Sequence, residues 1–179
     1  MRFEETELAG AFIVELEPIH DDRGFFARTF CARDFEKRGL EPVVAQCNVS
    51  FNGKKGTLRG MHFSLPPSAE TKLVRCTQGA ILDVIVDLRR ESPTYLQHVA
   101  VELSAANRRS LYVPAMFAHG YQTLTDDAEI HYQIDQTHNP ATQRGYRYDD
   151  PAFGIDWPLE ISVISDRDRS APRLSDAER

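Results

Sequence analysis

The sequence predicts an all-β protein of the jelly-roll type, with only short helices at its periphery. Short segments rich in β-branched and aromatic residues follow one another along most of its 179 residues, and turn signals such as Asn52-Gly53 and Pro66-Pro67 separate them. The long helical patterns that would connect the strands of a parallel sheet are missing. Two antiparallel sheets folded over each other would protect their edges and leave a central cavity.

The elements follow in a simple order. The strand-like segments are AFIVELEPI, VAQCNVSFN, TLRGMHF, TKLVRC, AILDVIVDL, HVAVELS, RSLYVP, HGYQTLT and AEIHYQI. After the first of them, FCARDFEKRGL predicts a short helix that ends at Gly39. DDPAFGIDWPLEI predicts an ordered loop with a late turn, and the polar residues from about 171 to 179 are expected to fray. No repeat or linker divides the chain, so we expect one domain over residues 1–179.

Composition excludes several classes of function. The net charge is −6 and the isoelectric point is about 5.5, whereas a nucleic-acid surface depends on a basic patch that the sequence does not form. The start of the chain lacks the features of a signal peptide, and Asp83 and Asp87 interrupt the best apolar stretch. We therefore expect a cytoplasmic protein without nucleic-acid or membrane partners. Cys31, Cys47 and Cys76 are too widely spaced to suggest a disulfide framework or a zinc site.

The segment TLRGMHFSLPPSAETKLVRC, residues 57–76, places Arg59, His62 and Lys72 among the apolar positions of two strands. Side chains alternate along a strand, so Arg59 and His62 reach one site only if the strand bulges or bends, and Gly60 is where this could happen. Each residue alone has an ordinary interpretation, as a hydrogen-bonded histidine or a solvated cation. The occurrence of all three in one pair of strands instead favours a functional site. AILDVIVDL likewise presents one aliphatic face and one face that carries Asp83 and Asp87.

A jelly roll with histidines in its strands raises the hypothesis of a cupin-type metal site, which takes two histidines from an H-x-H strand, a carboxylate and a later histidine. Here Ser64 stands where the second histidine would be. His119 and Glu70 remain, which with His62 is a weak ligand set for such a site. We predict no metal.

A family resemblance extends over nearly the whole chain. The blocks that carry it are DDRGFFARTF, QCNVS, TLRGMH, KLVRC, DVIVDLRRESPTY, VPAMFAHGYQTL, HYQ, YDDPAFGIDWP and ISDRDR. Together they resemble the dTDP-4-keto-6-deoxyglucose 3,5-epimerases of rhamnose biosynthesis. The resemblance implies a cupin-like jelly roll (a double-stranded β-helix), a homodimer, and an isomerase that epimerises a nucleotide-diphosphate-linked 4-keto-6-deoxysugar without a cofactor.

The resemblance also implies roles for individual residues. His62 would be the general base, Asp168 its orienting carboxylate, Tyr132 the acid, and Lys72 a cation that holds the sugar and its developing charge. Asp83 is expected to hydrogen-bond His119. The implied substrate-binding residues are Arg23, Phe26, Arg28, Gln46, Asn48, Arg59, His119 and His138.

The chemistry of the reaction accounts for this set. A ketone at C4 acidifies the protons on C3 and C5, so one base beside C4 could serve both carbons. A neutral imidazole, with an ordinary pKa of about 6.5, suits that task, and a tyrosine remains protonated at neutral pH and can return a proton to the opposite face. The Lys72 ammonium would stabilise the enolate, and Arg59 and Arg23 would bind the diphosphate.

Two departures from the family leave the substrate open. Arg28 stands where the family commonly has Glu, and His138 where it commonly has a second Tyr, both toward the nucleotide end of the site. The alternatives are an epimerase acting at only C3 or only C5, one acting on a GDP- or CDP-linked sugar, a cupin module that binds a nucleotide sugar without chemistry, and a metal-dependent cupin oxygenase. The intact acid and base argue against the binding module, and Ser64 argues against the oxygenase.

Overall fold

The computed structural model describes residues 1–177 and contains thirteen β-strands and three short helices. The strands are β1 (Arg2–Glu5), β2 (Phe12–Glu15), β3 (Ile19–Asp21), β4 (Gly24–Phe26), β5 (Gln46–Asn52), β6 (Leu58–Ser64), β7 (Lys72–Gln78), β8 (Ala80–Asp87), β9 (His98–Ser104), β10 (Ser110–Val113), β11 (Phe117–Thr123), β12 (Ala128–Ile134) and β13 (Gln143–Gly145). The helices are α1 (Ala32–Glu36), α2 (Asp166–Arg169) and α3 (Leu174–Ala177). Among these helices, none is long and apolar enough to cross a membrane.

The strands form two large antiparallel sheets that face each other, which confirms the predicted all-β class. One sheet has six strands in the order β1-β2-β10-β7-β12-β5, and the other has five in the order β13-β6-β11-β8-β9. β3 and β4 form a separate two-stranded hairpin. All strand segments expected from the sequence contain a strand, and the helix predicted before Gly39 is α1.

The space between the sheets is apolar over most of its length. The alternation of β8 shows why: Ile81 and Ile85 join the central cluster of buried side chains, together with Val74, Leu111 and Ile130 from the opposite sheet. Burying aliphatic side chains of this size contributes roughly 1.5–3 kcal/mol each relative to leaving them exposed. The remaining part of the space between the sheets is lined by polar side chains and forms the cavity described below.

The outer face of the five-stranded sheet is covered by the C-terminal part of the chain. Phe153 of the predicted ordered loop and Leu174 of α3 pack against Val84 and Val86 on that face. The Leu174 amide donates a hydrogen bond to Asp150 Oδ2 at 2.6 Å. Leu174–Ala177 forms the short helix α3 within the segment for which the sequence predicts fraying. The fraying itself stays a prediction. Residues 178 and 179 lie outside the described residues.

The outer face of the six-stranded sheet is covered only in part. Phe35 of α1 packs against Val14 and Leu73 at one end. At the other end, Val49 and Phe51 of β5 are 60% and 55% exposed. Two large apolar side chains exposed side by side on one strand face are typical of a contact surface.

Polar groups beside the uncovered area are also left without partners. Arg75 Nε and Gln133 Oε1 are buried there and make no hydrogen bond within the described chain. The β3–β4 hairpin projects with Ile19 and Phe26 each 71% exposed.

Candidate active site

A cavity of about 310 Å³ opens between the two sheets. Its walls come from the inner faces of β5, β7 and β12 on one side and of β6 and β11 on the other. Eight of the twelve residues predicted for the site line it: Gln46, Asn48, Arg59, His62, Lys72, His119, Tyr132 and His138.

An irregularity in β6 brings Arg59 and His62 to the same cavity, although they are three residues apart. His62 pairs with His119 and Arg59 pairs with Tyr121, so β6 holds one residue more than β11 over this stretch. Gly60 lies inside it with a φ of +129°, and a Cβ there would come within 2.5 Å of the Gly120 Cα. The predicted bulge at Gly60 is therefore present, and it needs glycine both for its backbone conformation and for the close approach of β11.

His62 is paired with a buried carboxylate. Its Nε2 lies 2.7 Å from Asp168 Oδ1, and the second oxygen of Asp168 accepts a hydrogen bond from the Gly60 amide at 3.2 Å. Asp168 is held on α2, where the Ser165 hydroxyl caps the helix by accepting from the Asp168 amide at 3.1 Å. The bulge and the helix cap thus fix the two partners of one pair.

The electrostatics of this pair keep Asp168 ionised. Burial alone would raise the pKa of Asp168, but its hydrogen bond to His62, the imidazole charge and the Gly60 amide outweigh that effect and hold the pKa below its ordinary value. A carboxylate that accepts from His62 Nε2 places the neutral ring's proton on that nitrogen and leaves the lone pair on Nδ1. The arrangement gives an oriented imidazole that can accept a proton.

Lys72 is the most deeply buried cation of the cavity. Its side chain is 9% exposed and its Nζ lies 3.1 Å from Glu70 Oε1. It projects from the first residue of β7, directly across from Ile134 of β12. A buried ammonium in a cavity of restricted water content interacts strongly with any negative charge that develops beside it.

Tyr132 lies on β12, in register with Val74 on the neighbouring β7. Burial raises the pKa of its hydroxyl above the ordinary value, against the opposing effect of the Arg59 charge. The hydroxyl is therefore protonated throughout the neutral range and can donate a proton. A second phenol, Tyr121, is engaged differently, because its oxygen lies 2.9 Å from Ser50 Oγ and accepts from Asn52 Nδ2 at 3.2 Å.

His119 forms a second histidine–carboxylate pair, as the family resemblance implied. Its Nε2 lies 2.7 Å from Asp83 Oδ1, and Asp83 is fully buried. The other oxygen of Asp83 has no hydrogen-bond partner among the described residues. Asp83 thus fixes the ring of His119 at the cavity wall.

His138 is held at the edge of the cavity by two glutamines. Its amide donates to Gln46 Oε1 at 3.0 Å, and its Nδ1 accepts from Gln143 Nε2 at 3.0 Å. In this arrangement the neutral ring carries its proton on Nε2, which is then available as a donor to a ligand.

Four residues predicted for the site do not line the cavity: Asp168, which lies behind His62 and is bonded to it, and three residues that lie away from the cavity. Arg23 and Phe26 belong to the β3–β4 hairpin, Arg28 follows it, and all three are exposed. The Arg23 guanidinium is paired with Asp21 of the same hairpin at 2.5 Å. The described chain therefore does not bring these residues to its own cavity.

The cavity also contains residues that the sequence analysis did not assign to substrate. These are Ser50, Phe63, Glu70, Gly120, Tyr121, Ile134, Gln143, Arg144 and Arg167. Side chains two positions apart on a strand point to the same face. Ser50 could therefore have been predicted from Gln46 and Asn48 on β5, and Tyr121 from His119 on β11. Glu70 and Arg144 carry no such signal, because loop and edge positions depend on tertiary packing.

Among the residues that the structure describes, no group of three or more His, Cys, Asp or Glu is arranged to hold a metal ion. The carboxylates of Asp83 and Asp168 are already bonded to His119 and His62. The residues that line the cavity include Lys72, three arginines and one carboxylate, Glu70, which is paired with Lys72.

Comparison with known proteins identifies the family. The family profile for dTDP-4-dehydrorhamnose 3,5-epimerase matches residues 5–176. The dTDP-4-dehydrorhamnose 3,5-epimerase of Sinorhizobium fredii is 42% identical over 97% of this chain and 90% of its own.

Solved structures agree in fold over the whole chain. The 3,5-epimerase RmlC from Legionella pneumophila, in complex with dTDP-4-keto-L-rhamnose, superposes with a TM-score of 0.91 at 36% identity, covering 99% of this chain and 95% of its own. ChmJ, a 3′-monoepimerase from Streptomyces bikiniensis in complex with dTDP-quinovose, gives a TM-score of 0.89 at 35% identity, covering 97% and 88%. The cupin-like jelly roll and the expected isomerase class are confirmed: this chain belongs to the dTDP-4-dehydrorhamnose 3,5-epimerase family.

Proposed function

We propose that the protein epimerises a dTDP-linked 4-keto-6-deoxysugar at C3 and C5, using His62 as base, Tyr132 as acid and Lys72 as the cation that stabilises the enolate. The main support for the proposal is that these three side chains line one cavity and that Asp168 orients His62. A binding site alone has no need of an oriented base and a protonated phenol. Family membership supports the nature of the substrate.

In the proposed reaction, His62 Nδ1 removes the proton on C3 or C5, and the electron pair of the broken C–H bond moves toward the C4 carbonyl to form an enolate. Asp168 stabilises the imidazolium that results. The Lys72 ammonium stabilises the charge on the C4 oxygen, which is common to both enolates. Tyr132 then donates its proton to the opposite face of the carbon, so the configuration inverts. Solvent exchange returns both groups to their starting protonation states.

The other cations of the cavity suit the diphosphate. Arg59, Arg144 and Arg167 line it, and Arg59 is fixed by donating from Nε to Asn52 Oδ1 at 2.7 Å. The forked guanidinium donors match phosphate oxygens. His138 and Gln143 at the edge would contact the nucleotide, and their identities would influence the choice of base.

Proton NMR in deuterated water tests the proposal directly. We expect the wild-type protein, incubated with dTDP-4-keto-6-deoxyglucose and a chelator, to exchange the C3 and C5 protons for deuterium and to form the epimer. Absence of exchange at both carbons would refute the proposal. Exchange at one carbon alone would assign a monoepimerase like ChmJ, and parallel incubations with GDP- and CDP-linked 4-keto sugars would establish the nucleotide preference.

We also propose a homodimer in which each hairpin serves the site of the partner. The uncovered end of the six-stranded sheet, with exposed Val49 and Phe51 and unpartnered Arg75 Nε, supports a second copy on that face. Arg23 and Phe26 lie on the projecting hairpin, away from their own cavity. In such a dimer, the two residues would contact the substrate in the partner's cavity.

The cytoplasmic location of the protein stays a prediction.

A further inference from the structure

Glu70 is a titratable residue of the cavity that the proposed reaction does not use. Its side chain is 12% exposed, and its Oε1 lies 3.1 Å from Lys72 Nζ. Among the described residues that line the cavity, it is the only acid.

The loop that carries Glu70 is anchored on both sides. The Thr71 amide donates to Asp135 Oδ1 at 2.7 Å, and Asn139 Nδ2 donates to Ser68 Oγ at 3.1 Å. The Glu70 backbone is therefore held in place against the residues that follow β12.

Lys72 needs such a partner for two reasons. Its four-carbon stem carries about 2 kcal/mol of rotamer entropy, so the ammonium is not directed by the strand alone. Lys72 also shares the cavity with Arg59, Arg144 and Arg167. Their like charges repel the Lys72 ammonium and would favour a position nearer the solvent. Asp83 and Asp168 are bonded to His119 and His62, which leaves Glu70 as the carboxylate that can hold it.

We propose that Glu70 is the positioning residue for Lys72: it accepts one of the three N–H groups of the ammonium and thereby directs the others toward the C4 oxygen of the substrate. This inference rests on the proposed function. Since the C4 oxygen is common to the enolates at C3 and C5, the loss of Glu70 should slow exchange at both carbons equally. Glu70 acts through Lys72 and does not itself exchange a proton with the sugar.

Two substitutions separate this role from a merely structural one. Glu70→Ala removes the acceptor, and we expect kcat for deuterium exchange to fall about 10- to 100-fold at C3 and at C5, as the loss of a hydrogen bond to a charged group implies. KM should change less than about threefold, because the diphosphate contacts remain. Glu70→Gln keeps the length and an acceptor oxygen but loses the charge, so we expect kcat to fall by less than in Glu70→Ala.

Asp135→Ala is the matched control, since it loosens the same loop without touching the ammonium. We expect it to lower the melting temperature with a smaller loss of kcat than Glu70→Ala. Wild-type exchange rates in Glu70→Ala, a loss confined to one carbon, or an equal loss in Glu70→Gln would each overturn the positioning role while leaving the proposed function intact. Absence of exchange in the wild-type protein would overturn both.

Discussion

At the scale of single residues, His62 and Tyr132 have separable tasks in the proposed reaction. His62 accepts the proton and is oriented by Asp168 at 2.7 Å, whereas Tyr132 is kept protonated because burial raises its pKa. Substitution of each residue should therefore give a different kinetic result.

We predict that His62→Ala abolishes deuterium exchange at both C3 and C5 while leaving substrate affinity within a few-fold of wild type. The base is lost, but the arginines that bind the diphosphate remain. NMR exchange and calorimetric binding of the substrate measure the two quantities. Asp168→Asn is the companion variant and should slow exchange by disturbing the orientation and tautomer of the imidazole. Undiminished exchange in His62→Ala would assign the base to another residue.

We predict that Tyr132→Phe still exchanges deuterium but with retention of configuration, so that epimer formation falls steeply. The base and Lys72 remain, and the enolate is reprotonated by His62 from its original face. The ratio of exchange to epimer formation, measured in one NMR experiment, checks this.

Tyr121→Phe provides a control for Tyr132→Phe within the same cavity, since that hydroxyl is bonded to Ser50 and Asn52. We expect it to leave the ratio of exchange to epimer formation unchanged. An equal fall of exchange and epimer formation in Tyr132→Phe, with a lower melting temperature, would instead indicate a packing role.

At the scale of the elements, β8 shows how one pattern serves two purposes. Its alternation places Asp83 and Asp87 on one face, as the sequence indicated, but only Asp83 reaches a histidine of the cavity. Asp87 organises the turn after β8, where it accepts hydrogen bonds from Arg89, Ser92 and Thr94 at 2.5–3.0 Å. Burial opposes the charge, yet these donors outweigh it and lower the pKa of Asp87 to about 2.

We predict that Asp87→Asn lowers the free energy of unfolding by about 2 kcal/mol at pH 7, which is what the shift from 3.8 to about 2 implies. Because the folded pKa is depressed, this contribution is present above the unfolded value of 3.8 and is lost as the pH falls through about 2. The difference between the two proteins should therefore narrow between about pH 4 and pH 2 in urea titrations.

Asp149→Asn is the control for Asp87→Asn, since Asp149 is exposed and pairs with Arg147 at 2.7 Å on the surface. We expect it to change stability by less than about 0.5 kcal/mol. Equal effects of the two substitutions would show that the network around Asp87 contributes no more than a surface pair.

At the scale of the whole molecule, the position of the hairpin predicts complementation between inactive subunits. If Arg23 and Phe26 serve the partner's site, a heterodimer of an Arg23→Ala/Phe26→Ala subunit with a His62→Ala subunit contains one intact site. Statistical pairing of the two subunits would then restore about one quarter of wild-type activity.

Co-expression of the two variants with different tags tests this, and separately purified homodimers of each variant are the controls. Size-exclusion chromatography with light scattering establishes the oligomeric state in the same preparations. A mixture no more active than its parents would show that each hairpin serves its own subunit, and a monomer in solution would exclude the dimer.

The sequence by itself determined the class of the fold and indicated Gly60 as the place where β6 could bulge. The site residues were assigned from the family resemblance, and eight of those twelve line the cavity. Period-two alternation and turn residues specify antiparallel strands, and a glycine amid polar strand positions indicates where a strand departs from regularity. The sequence did not indicate β1, the β3–β4 hairpin, β13, α2 or α3, because three- and four-residue elements carry too few residues to show a period.

The pairing of Asp168 with His62 across 106 positions of the chain was expected from the family resemblance, and no local pattern indicates it. Only the tertiary structure decided the other partners: it placed Glu70 against Lys72, gave Asp87 a role in the turn after β8, and kept Arg23, Phe26 and Arg28 out of their own cavity. Such pairings depend on how two sheets and their loops pack at distances of about 3 Å, the range of a hydrogen bond. Local sequence patterns describe which face a residue occupies, and packing between distant segments determines what it meets there.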